Sequence, residues 1–529
     1  MDFVGTWYSL IPPIVMILLV LLTRKVLLSL GAGIVVGALM IESFNIKDTI
    51  VTIWASFRDL FYLGGMNLSP NGSFSLGEWD MWSVQLVLFL LLLGILIAFL
   101  TATGGARAFG NWAIQKIKTR EGSQYTAGLL GLGIFIDDYF NSLTIGQVSR
   151  PITDRQKVSR AKLAYLIDST SAPVTVLSPI SSWGAYIIGI IGTIIADQSL
   201  NNYTAFNSFI GTIGYNFYAI AAIILVFLVI KMKLDFGLMR EHEVRAQQSG
   251  ELIDPLRSDV PGDLQDDVKE NDHGKIYHLV LPILVLVAVT VSLMIYTGIQ
   301  ATEGEVSVVS TFANTNVNYS LVMGGLSAVV VGILFFLIQS GEKSNFIRVV
   351  WEGIKAMLPA IYILVLAWMI VGVIDGIGTG EFIAEKVKEA EFNVAFLPLI
   401  IFIVAGLMAF ATGTSWGTFG VMLPIAGQIA ATTDPSFFVP ALGAVLAGSV
   451  FGDHCSPISD TSVLSSTGAG SNHIDHVLTQ IPYAILAALA SIFGYLMFAF
   501  TSSMILGLLV TVGTLVLMAY LVYRRISTN

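Results

Sequence analysis

The sequence is poor in charge and almost without cysteine. Only 12% of its 529 residues are charged, whereas a soluble domain carries roughly 25%. Apolar residues make up 55% of the chain, and its mean hydropathy is +0.78. A water-facing surface of ordinary size cannot be built from such a chain. The single cysteine, Cys455, excludes a disulfide framework and a cysteine-based metal cluster.

Further absences narrow the possible functions. The net charge of −9 comes without a basic stripe outside the loops between apolar runs, so nucleic acid is not an expected partner. The first residues lack a basic region and a small-residue cleavage site, so no removable signal peptide is expected. Gly-x-Ser-x-Gly, HExxH and P-loop motifs do not occur, so neither an enzyme nor a cofactor is expected.

The chain instead has many apolar runs close to the length that crosses a hydrocarbon core of about 30 Å. Two of these runs, 163–195 and 439–467, are interrupted by Pro, Ser and Gly, and we interpret them as broken transmembrane helices. Two further segments, 125–149 and 395–431, have polar centres, and we interpret them as re-entrant hairpins. The predicted fold is an all-α polytopic membrane protein with about 11 transmembrane helices.

The basic residues predict the orientation. With eleven spans and the N-terminus outside, only Lys47, Arg58, Lys386 and Lys388 lie outside, which leaves 23 of the 27 Lys and Arg residues on the cytoplasmic side. We therefore expect a multi-pass protein of the cell (inner or plasma) membrane, with the N-terminus outside and the C-terminus cytoplasmic. Membrane lipid is an expected partner, and a homodimer is left open.

A four-residue sequence, SPIS, occurs in the middle of both interrupted spans, at Ser178–Ser181 and Ser456–Ser459. Upstream of each copy lies a hairpin with a polar centre, and one hairpin enters from each side of the membrane. This order and spacing predict an inverted repeat. Irregular backbone inside a membrane is tolerated only where it lines a protein-enclosed cavity, and carriers use such breaks to bind ions.

The repeat divides the chain into four parts. Residues 1–230 form the first transmembrane repeat, 231–277 a cytoplasmic linker, and 278–500 the second, inverted repeat. Residues 501–529 add a C-terminal helix and a cytoplasmic tail. The linker has mixed charges and few aromatic residues, which predicts a solvated, partly disordered segment.

Carboxylates inside apolar segments are functional candidates, because a carboxylate costs roughly 2.5 kcal/mol or more to insert. The alternative for each is a structural ion pair or a helix cap. The candidates for ion or proton coupling are Asp137, Asp138, Asp453, Asp460 and His454. Asp168, near the predicted cytoplasmic face, could equally be a cap or a pairing partner. The HIDH run at His473–His476 could suggest a metal site, but its predicted cytoplasmic loop favours a solvated or capping role.

Hydroxyl and amide groups at the hairpin centres and breaks are the candidate ligands for the transported ion or substrate. Proline removes a backbone donor at each break, and the flanking serines supply hydroxyl oxygens. We expect a Na⁺ site formed by a subset of these groups. The candidates are Asn141, Ser142, Thr144, Ser178, Ser181, Thr412, Thr414, Ser415, Ser456, Ser459 and Thr461.

The run Gly452–Thr461 (GDHCSPISDT) resembles the signature of the NhaC family of Na⁺/H⁺ antiporters. The stretch from Phe135 to Trp183, with its DDYFN and RPITDR runs, is similar to the first-repeat signature of NhaC-related proteins. The resemblance implies an inverted-repeat carrier of the ion transporter superfamily. The family pattern has Lys-Met where this chain has His454-Cys455, and some relatives exchange organic acids or carry amino acids with Na⁺.

The resemblance and the motifs together predict a secondary active transporter, a Na⁺/H⁺ antiporter of NhaC type. Na⁺ and H⁺ are its expected ions, with Asp138 or Asp460 binding Na⁺ and a proton in turn. The alternative is a Na⁺- or H⁺-coupled transporter or exchanger of a small carboxylate or amino acid. A channel is less consistent with repeats that contain broken helices. The true substrate, the stoichiometry and the direction of transport are left open.

Overall fold

The structure is a computed structural model, and it describes residues 3–528 with some gaps. The gaps are residues 24, 64–66, 69–73, 76–77, 136, 180, 201, 257–267, 270, 303, 305, 343, 380–381, 383–384 and 387–392. Four of the basic residues counted above, Arg24, Arg257, Lys343 and Lys388, and the middle of the linker lie outside the described residues.

The described chain is almost entirely helical. Its first half contains α1 (Ile11–Thr23), α2 (Val26–Ile41), α3 (Ile46–Asp59), α4 (Met81–Ala102), α5 (Gly105–Lys116), α6 (Arg120–Gly133), α7 (Asp138–Arg155), α8 (Arg160–Leu177), α9 (Ser182–Asp197), α10 (Ala205–Tyr215), α11 (Phe217–Met232) and α12 (Leu238–Gln248). A 3₁₀ helix at Trp7–Leu10 precedes them. Four two-residue strands pair between α3 and α4, β1 (Tyr62–Leu63) with β4 (Glu78–Trp79) and β2 (Asn67–Leu68) with β3 (Phe74–Ser75).

The second half of the described chain is also almost entirely helical. Its helices are α13 (Tyr277–Ala301), α14 (Val308–Ala313), α15 (Val317–Ile338), α16 (Phe346–Gly376), α17 (Leu397–Thr412), α18 (Ser415–Thr433), α19 (Phe438–Cys455), α20 (Asp460–Ala469), α21 (His473–Thr501) and α22 (Met504–Thr528). Short 3₁₀ helices at Val394–Phe396 and Pro435–Phe437 precede α17 and α19.

Eight helices in the described part of the chain are long and apolar enough to cross a membrane, or nine if the bent pair α10–α11 is one span. A lipid-exposed backbone must satisfy its polar groups within the helix, so long apolar helices are the stable solution for this composition. The eight are α4, α13, α15, α16, α17 with the residues before it, α19 with the residues before it, α21 and most of α22. The chain is therefore a multi-pass, all-helical membrane protein.

Helices end at both SPIS sequences. Helix α8 ends at Leu177 and α9 begins at Ser182, while α19 ends at Cys455 and α20 begins at Asp460. Proline has no N–H to continue a helix, and the last serine of each sequence caps the next one. The Ser181 hydroxyl accepts the Gly184 N–H at 2.9 Å, and the Ser459 hydroxyl accepts the Ser462 N–H at 3.2 Å.

The two segments with polar centres also divide into pairs of helices. Helix α6 is followed by α7, whose first turn is capped by the Asp137 carboxylate, which accepts the Phe140 N–H at 3.0 Å. Helix α17 ends at Thr412 and is followed by Gly413, whose φ of +71° favours glycine. Thr414 then caps α18 by accepting the Gly417 N–H at 3.4 Å. Each centre is thus a helix start that is capped by a short polar side chain.

These short helices pack against each other crosswise. Helix α7 contacts α20, and α18 contacts α9, so each hairpin segment meets the second half of the other interrupted span. Helix α17 lies along α19, where Gly448 and Gly452 face the backbone at Phe402 and Gly406 so closely that a side chain at either glycine would collide with it. The polar centres and the breaks are thereby held in one region of the core.

The linker differs from the solvated segment that its composition predicts. Its helix α12 packs on α8 and α21, and Glu243 is buried, accepting the Ser159 N–H at 2.8 Å and pairing with Arg120. Asp235 pairs with the buried Lys162. Burial also lowers the pKa of the His242 imidazole. A few apolar positions and these ion pairs are enough to dock a segment whose average composition is polar.

Candidate functional site

A cavity of about 340 Å³ lies where the first polar centre meets the second break. Three carboxylates line it, Asp137, Asp138 and Asp460, and none of its described lining residues is basic. Thr414 from the second polar centre lines it as well. The remaining lining is aromatic or apolar apart from Asn318 and includes Trp82, Tyr139, Trp368 and Trp416. A cavity of this charge favours a cation, because apolar walls strengthen its attraction to the carboxylates.

Asp138 lines this cavity and is buried, with 1% of its surface exposed. Its Oδ1 accepts the indole N–H of Trp183 at 2.9 Å, whereas its Oδ2 has no hydrogen-bond partner within the described residues. A buried carboxylate oxygen without a partner carries a large desolvation cost. A bound cation or a proton on Oδ2 would remove that cost.

Asp460 lies opposite, at the first turn of α20. The Tyr139 hydroxyl donates to its Oδ2, and the Thr461 N–H donates to its Oδ1 at 2.8 Å. Because Tyr139 directly follows Asp138 in the chain, the two carboxylates belong to one short hydrogen-bonded region. The carboxylate sits where the α20 N-terminus stabilises negative charge.

Asp453 and Ser415 form a separate buried contact at the second polar centre. The Ser415 hydroxyl donates to Asp453 Oδ2 at 2.8 Å, and Asp453 Oδ1 has no partner within the described residues. Neither residue lines the cavity. The contact joins α18 to the end of α19.

His454 points away from the cavity. Its Nδ1 lies 3.0 Å from the Tyr218 hydroxyl and its Nε2 lies 3.1 Å from the Asp168 carbonyl oxygen. With one nitrogen facing a carbonyl and the other a hydroxyl, a neutral imidazole satisfies both contacts. The structure therefore places His454 in a hydrogen-bonded core position, and His454 is not part of the cavity lining.

Several of the side chains predicted to bind the ion already donate hydrogen bonds to backbone carbonyl oxygens. The Asn141 amide donates to Gly131 O and Ile134 O at 2.9 and 2.5 Å, which ties α7 to the end of α6. The hydroxyls of Ser181, Ser456 and Thr412 donate to carbonyl oxygens, and that of Ser459 lies 2.8 Å from the Thr461 hydroxyl. The Ser178 carbonyl accepts from Ser181. These contacts replace backbone bonds that the breaks remove.

Ser142 and Thr144 are two residues apart on α7, so their side chains project from different faces of the helix. The Ser142 hydroxyl lies 2.9 Å from that of Ser171 and 3.1 Å from that of Ser465. The Thr144 hydroxyl is buried without a hydrogen-bond partner within the described residues. Neither residue lines the acidic cavity.

A second buried polar cluster surrounds Asp168. Its carboxylate accepts from Ser465 and Ser462, each at 3.1 Å, from His476 Nε2 at 3.1 Å, and from Gln480 at 2.5 Å. Helices α8, α20 and α21 therefore meet at one carboxylate with none of its surface exposed. Through Ser465 and Ser142, this cluster is connected by hydroxyl groups to the helix that carries Asp138.

The HIDH run differs from the solvated loop that we expected. Helix α21 begins at His473, and both histidines are buried. His473 Nε2 lies 2.9 Å from the Pro457 carbonyl oxygen, while His476 faces Asp168. No group of three or more His, Cys, Asp and Glu side chains that could hold a metal ion occurs in the described residues. The run is part of the core.

Several contacts in these clusters were not predicted from the sequence. Tyr139 contacts Asp460 and Trp183 contacts Asp138, and both residues lie inside the motif stretch from Phe135 to Trp183. His476 and Gln480 are four residues apart, so they share one face of a helix. That spacing, in an otherwise apolar helix, was a usable signal for a buried polar partner.

The interrupted helices, the acidic cavity and the long apolar helices together define a class, that of multi-pass membrane transporters. A model of the Na⁺/H⁺ antiporter family matches residues 174–500. The chain belongs to that family, and the predicted family resemblance is confirmed.

The chain is similar in sequence to three proteins of known organisms. An uncharacterized protein of Haemophilus influenzae is 43% identical over 528 residues, which cover 99% of this chain and 97% of the relative. An uncharacterized Na⁺/H⁺ antiporter of the same organism is 30% identical over 31% of this chain and 35% of its own. A malate-2H⁺/Na⁺-lactate antiporter of Bacillus subtilis is 27% identical over 35% of this chain and 40% of its own.

The caps at the two breaks lead to a first prediction. Ser181→Ala and Ser459→Ala should each destabilise the folded protein by about 1 kcal/mol, because each removes a helix N-cap. Since both hydroxyls are already engaged, the Na⁺ dependence of transport should stay at the wild-type value. Thermal unfolding and Na⁺-dependent transport are measured on the same samples.

Ser327→Ala is the matched control, because the Ser327 hydroxyl bonds only to a carbonyl of its own helix. It should have a smaller effect on unfolding. Weakened Na⁺ dependence with unchanged unfolding in the two cap variants would instead identify these serines as ion ligands.

Proposed function

We propose that this protein is a secondary active transporter that exchanges Na⁺ for H⁺, a Na⁺/H⁺ antiporter of NhaC type. The observation that carries the proposal is the cavity in which Asp137, Asp138 and Asp460 converge without a basic residue in the described lining. Na⁺ would bind between the Asp138 and Asp460 carboxylates, with the Thr414 hydroxyl as a neutral ligand. A proton would take its place on one carboxylate in the return step.

The chemistry of the two carboxylates supports exchange rather than simple binding. Asp138 has a free Oδ2, and Asp460 accepts from Tyr139 and the α20 N-terminus. Neither has a cationic partner among the described contacts, so a cation or a proton is needed to compensate the buried charge. Competition between the two for one position couples their movements in opposite directions.

The helix bounds support an inverted repeat. Helices α6 to α9 begin 277 or 278 residues before α17 to α20 (for example 415 − 138 and 460 − 182). The crosswise packing of α7 on α20 and of α18 on α9 relates the two halves in the same way. We infer two repeats, 1–230 and 278–500, joined by the linker 231–277 and followed by 501–529.

We further infer eleven spans, with 125–149 and 395–431 as hairpins, the N-terminus outside and the C-terminus in the cytoplasm. The support is the distribution of basic residues, 23 of the 27 on one side. Helix α17 with the residues before it is long enough to cross a membrane, so its assignment as one arm of a hairpin needs a direct test.

A cysteine-labelling experiment provides that test and is the second prediction. In a Cys455→Ser background, cysteines at Lys118 and Arg155, exposed positions before α6 and at the end of α7, should both react with a membrane-impermeant maleimide only from the cytoplasmic side. A hairpin returns to the side from which it enters, whereas a full crossing would separate the two positions.

Cysteines at Lys47 and Arg525 serve as controls for the outside and the cytoplasm, and both positions are exposed. External labelling at Lys118 or Arg155 alone would make 125–149 a full crossing and reverse the inferred topology of everything after it.

The function itself is tested in proteoliposomes that contain a pH-sensitive dye. An imposed Na⁺ gradient should drive proton movement in the opposite direction, with K⁺ as the ion control. No Na⁺-dependent pH change, with a well-folded protein in the vesicles, would contradict Na⁺/H⁺ antiport.

A second candidate is a Na⁺- or H⁺-coupled transporter or exchanger of a small carboxylate or amino acid. Its support is the partial similarity to the malate-2H⁺/Na⁺-lactate antiporter of Bacillus subtilis, and His454-Cys455 departs from the family pattern. Radiolabelled uptake from a panel of organic acids and amino acids separates the two candidates. Uptake that requires one of these compounds, with no exchange in its absence, would favour the second.

A further inference from the structure

A second cavity, of about 360 Å³, lies between α17, α19 and α21, with Ile17 of α1 also in its lining. All of its described lining residues are apolar, and they include Leu407 of α17, Cys455 of α19 and Val477 of α21. Water needs two or more polar partners to occupy a cavity, and these side chains offer none. The occupant that this apolar cavity favours is therefore itself apolar.

The apolar cavity opens to the lipid-facing surface of the protein. Two of its lining residues lie at that surface, since Leu407 is 61% exposed and Ile485 is 44% exposed. They belong to α17 and α21, two of the helices that are long and apolar enough to cross a membrane. The rim of the cavity is thus continuous with the surface that contacts hydrocarbon, and a molecule that enters past this rim comes from the bilayer.

The apolar cavity also reaches behind that surface. Val477 and Cys455 line it, although only 1% and 7% of their surfaces are exposed. Protein interiors are close-packed, and this cavity is far larger than the roughly 10–15 Å³ that a single water needs. A lipid chain lying along the outside of a span would not contact these buried side chains, whereas a chain inside the cavity would.

The inner end of the apolar cavity lies against the second break. Pro457 lines the apolar cavity, and the next residue, Ile458, lines the acidic cavity. The same change occurs along α17, where Phe410 lines the apolar cavity and Gly413 follows at the acidic one. The Ser456 hydroxyl donates to the Phe410 carbonyl oxygen at 2.9 Å and joins the two segments. The break and the end of α17 therefore form a wall that both cavities share.

We propose that the apolar cavity is a binding site for one acyl chain of a membrane phospholipid, which enters past Leu407 and Ile485. An unbranched hydrocarbon chain matches a lining without charged or hydrogen-bonding side chains. Because the lipid is already in an apolar solvent, its gain comes from dispersion contacts that the lining of an empty cavity forfeits. The chain fills the space behind Pro457 and so supports one wall of the acidic cavity. This site goes beyond the proposed function, since it binds lipid whichever ion the acidic cavity exchanges.

The experiment uses the full-length protein in nanodiscs of phosphatidylcholine, in which a small fraction of the lipid carries a diazirine near the end of one acyl chain. After illumination, peptide mass spectrometry locates the covalent adducts. Adducts are expected on Cys455 and Val477, two buried side chains that a chain inside the cavity reaches. Leu489 is an exposed leucine of α21 outside the cavity lining, and its adduct yield serves as the internal measure of ordinary lipid contact.

Two variants reduce the space available to the chain. Leu407→Trp narrows the rim and Val477→Phe fills the interior, so each should lower the Cys455 adduct yield, relative to that of Leu489, by at least roughly fivefold, because added atoms and an acyl chain cannot share one space. Leu407 is exposed, so its variant should fold normally. Leu129→Trp is the matched control, because Leu129 of α6 is about as exposed as Leu407 and does not line the cavity. Its Cys455 adduct yield should equal that of the wild type.

Three results would overturn the proposal. The first is no adduct on Cys455 or Val477 when Leu489 is labelled, and the second is an unchanged Cys455 yield in both cavity variants. The third is loss of the phosphatidylcholine adduct on Cys455 when palmitate equimolar to the protein is added, which would identify a free fatty acid as the occupant.

Discussion

Asp138→Asn and Asp460→Asn are each expected to abolish Na⁺-driven proton movement while the folded protein stays in the membrane. An amide keeps the size of the carboxylate and one acceptor oxygen, but it has no charge for Na⁺ and cannot exchange a proton. A contact with a charged group contributes about 1.5–3 kcal/mol net. Apparent Na⁺ affinity should therefore fall by about tenfold to a hundredfold in each variant.

Proteoliposome transport and the Na⁺-dependent shift in thermal unfolding are measured for both variants. Asp197→Asn is the matched control, because Asp197 is an exposed aspartate at the end of α9, and it should behave as the wild type. If Asp138→Asn and Asp460→Asn both keep the wild-type rate and pH dependence, the acidic cavity is not the coupling site. Unchanged Na⁺ binding with lost proton movement would restrict the role of the carboxylates to the proton.

The helix ends were predictable because their causes are local. The SPIS sequences contain a proline, which cannot continue a helix, and a serine, which caps the next one. Asp137 and Thr414 are likewise short polar side chains placed just before a helix, where they accept its first N–H groups. Such effects act over three or four residues and can be read from the printed sequence.

The partners of the buried groups were not predictable in the same way. Asp138 and Trp183 are brought together across a helix break, and Asp460 meets Tyr139 from the other half of the chain. These pairs depend on how α7 lies against α9 and α20, which no local pattern specifies. The buried HIDH run has a similar cause, because its polar residues find partners only after α21 has packed on the two breaks.

The linker was predicted to be solvated because its average composition is polar, whereas its helix α12 packs on α8 and α21. Met239 and Ala246 supply an apolar face for α12, and Glu243 pairs with Arg120. A window that averages over the linker loses these few positions among many exposed ones. The spacing of seven residues between Met239 and Ala246 is that of one helix face.

Asp168→Ala is expected to be the most destabilising single substitution in the core. The Asp168 carboxylate accepts from two serines, His476 and Gln480, and its removal takes one acceptor away from each of these four buried donors. Removing one partner from a buried charged cluster costs about 3–5 kcal/mol. Asp168→Asn keeps one acceptor oxygen but turns a donor toward other donors, so its loss of stability should be intermediate.

Thermal unfolding of the detergent-purified protein tests this expectation, with exposed Asp197→Ala as the matched control. His476→Ala and the double variant complete a cycle, and the two losses should be strongly non-additive because both remove the same contact. Asp168 anchors three helices in this account, so stability and transport should decline together. If Asp168→Ala unfolds at the wild-type temperature yet transports nothing, the Asp168 carboxylate is a coupling group, and the hydroxyl connection through Ser465 and Ser142 leads from it to the helix of Asp138.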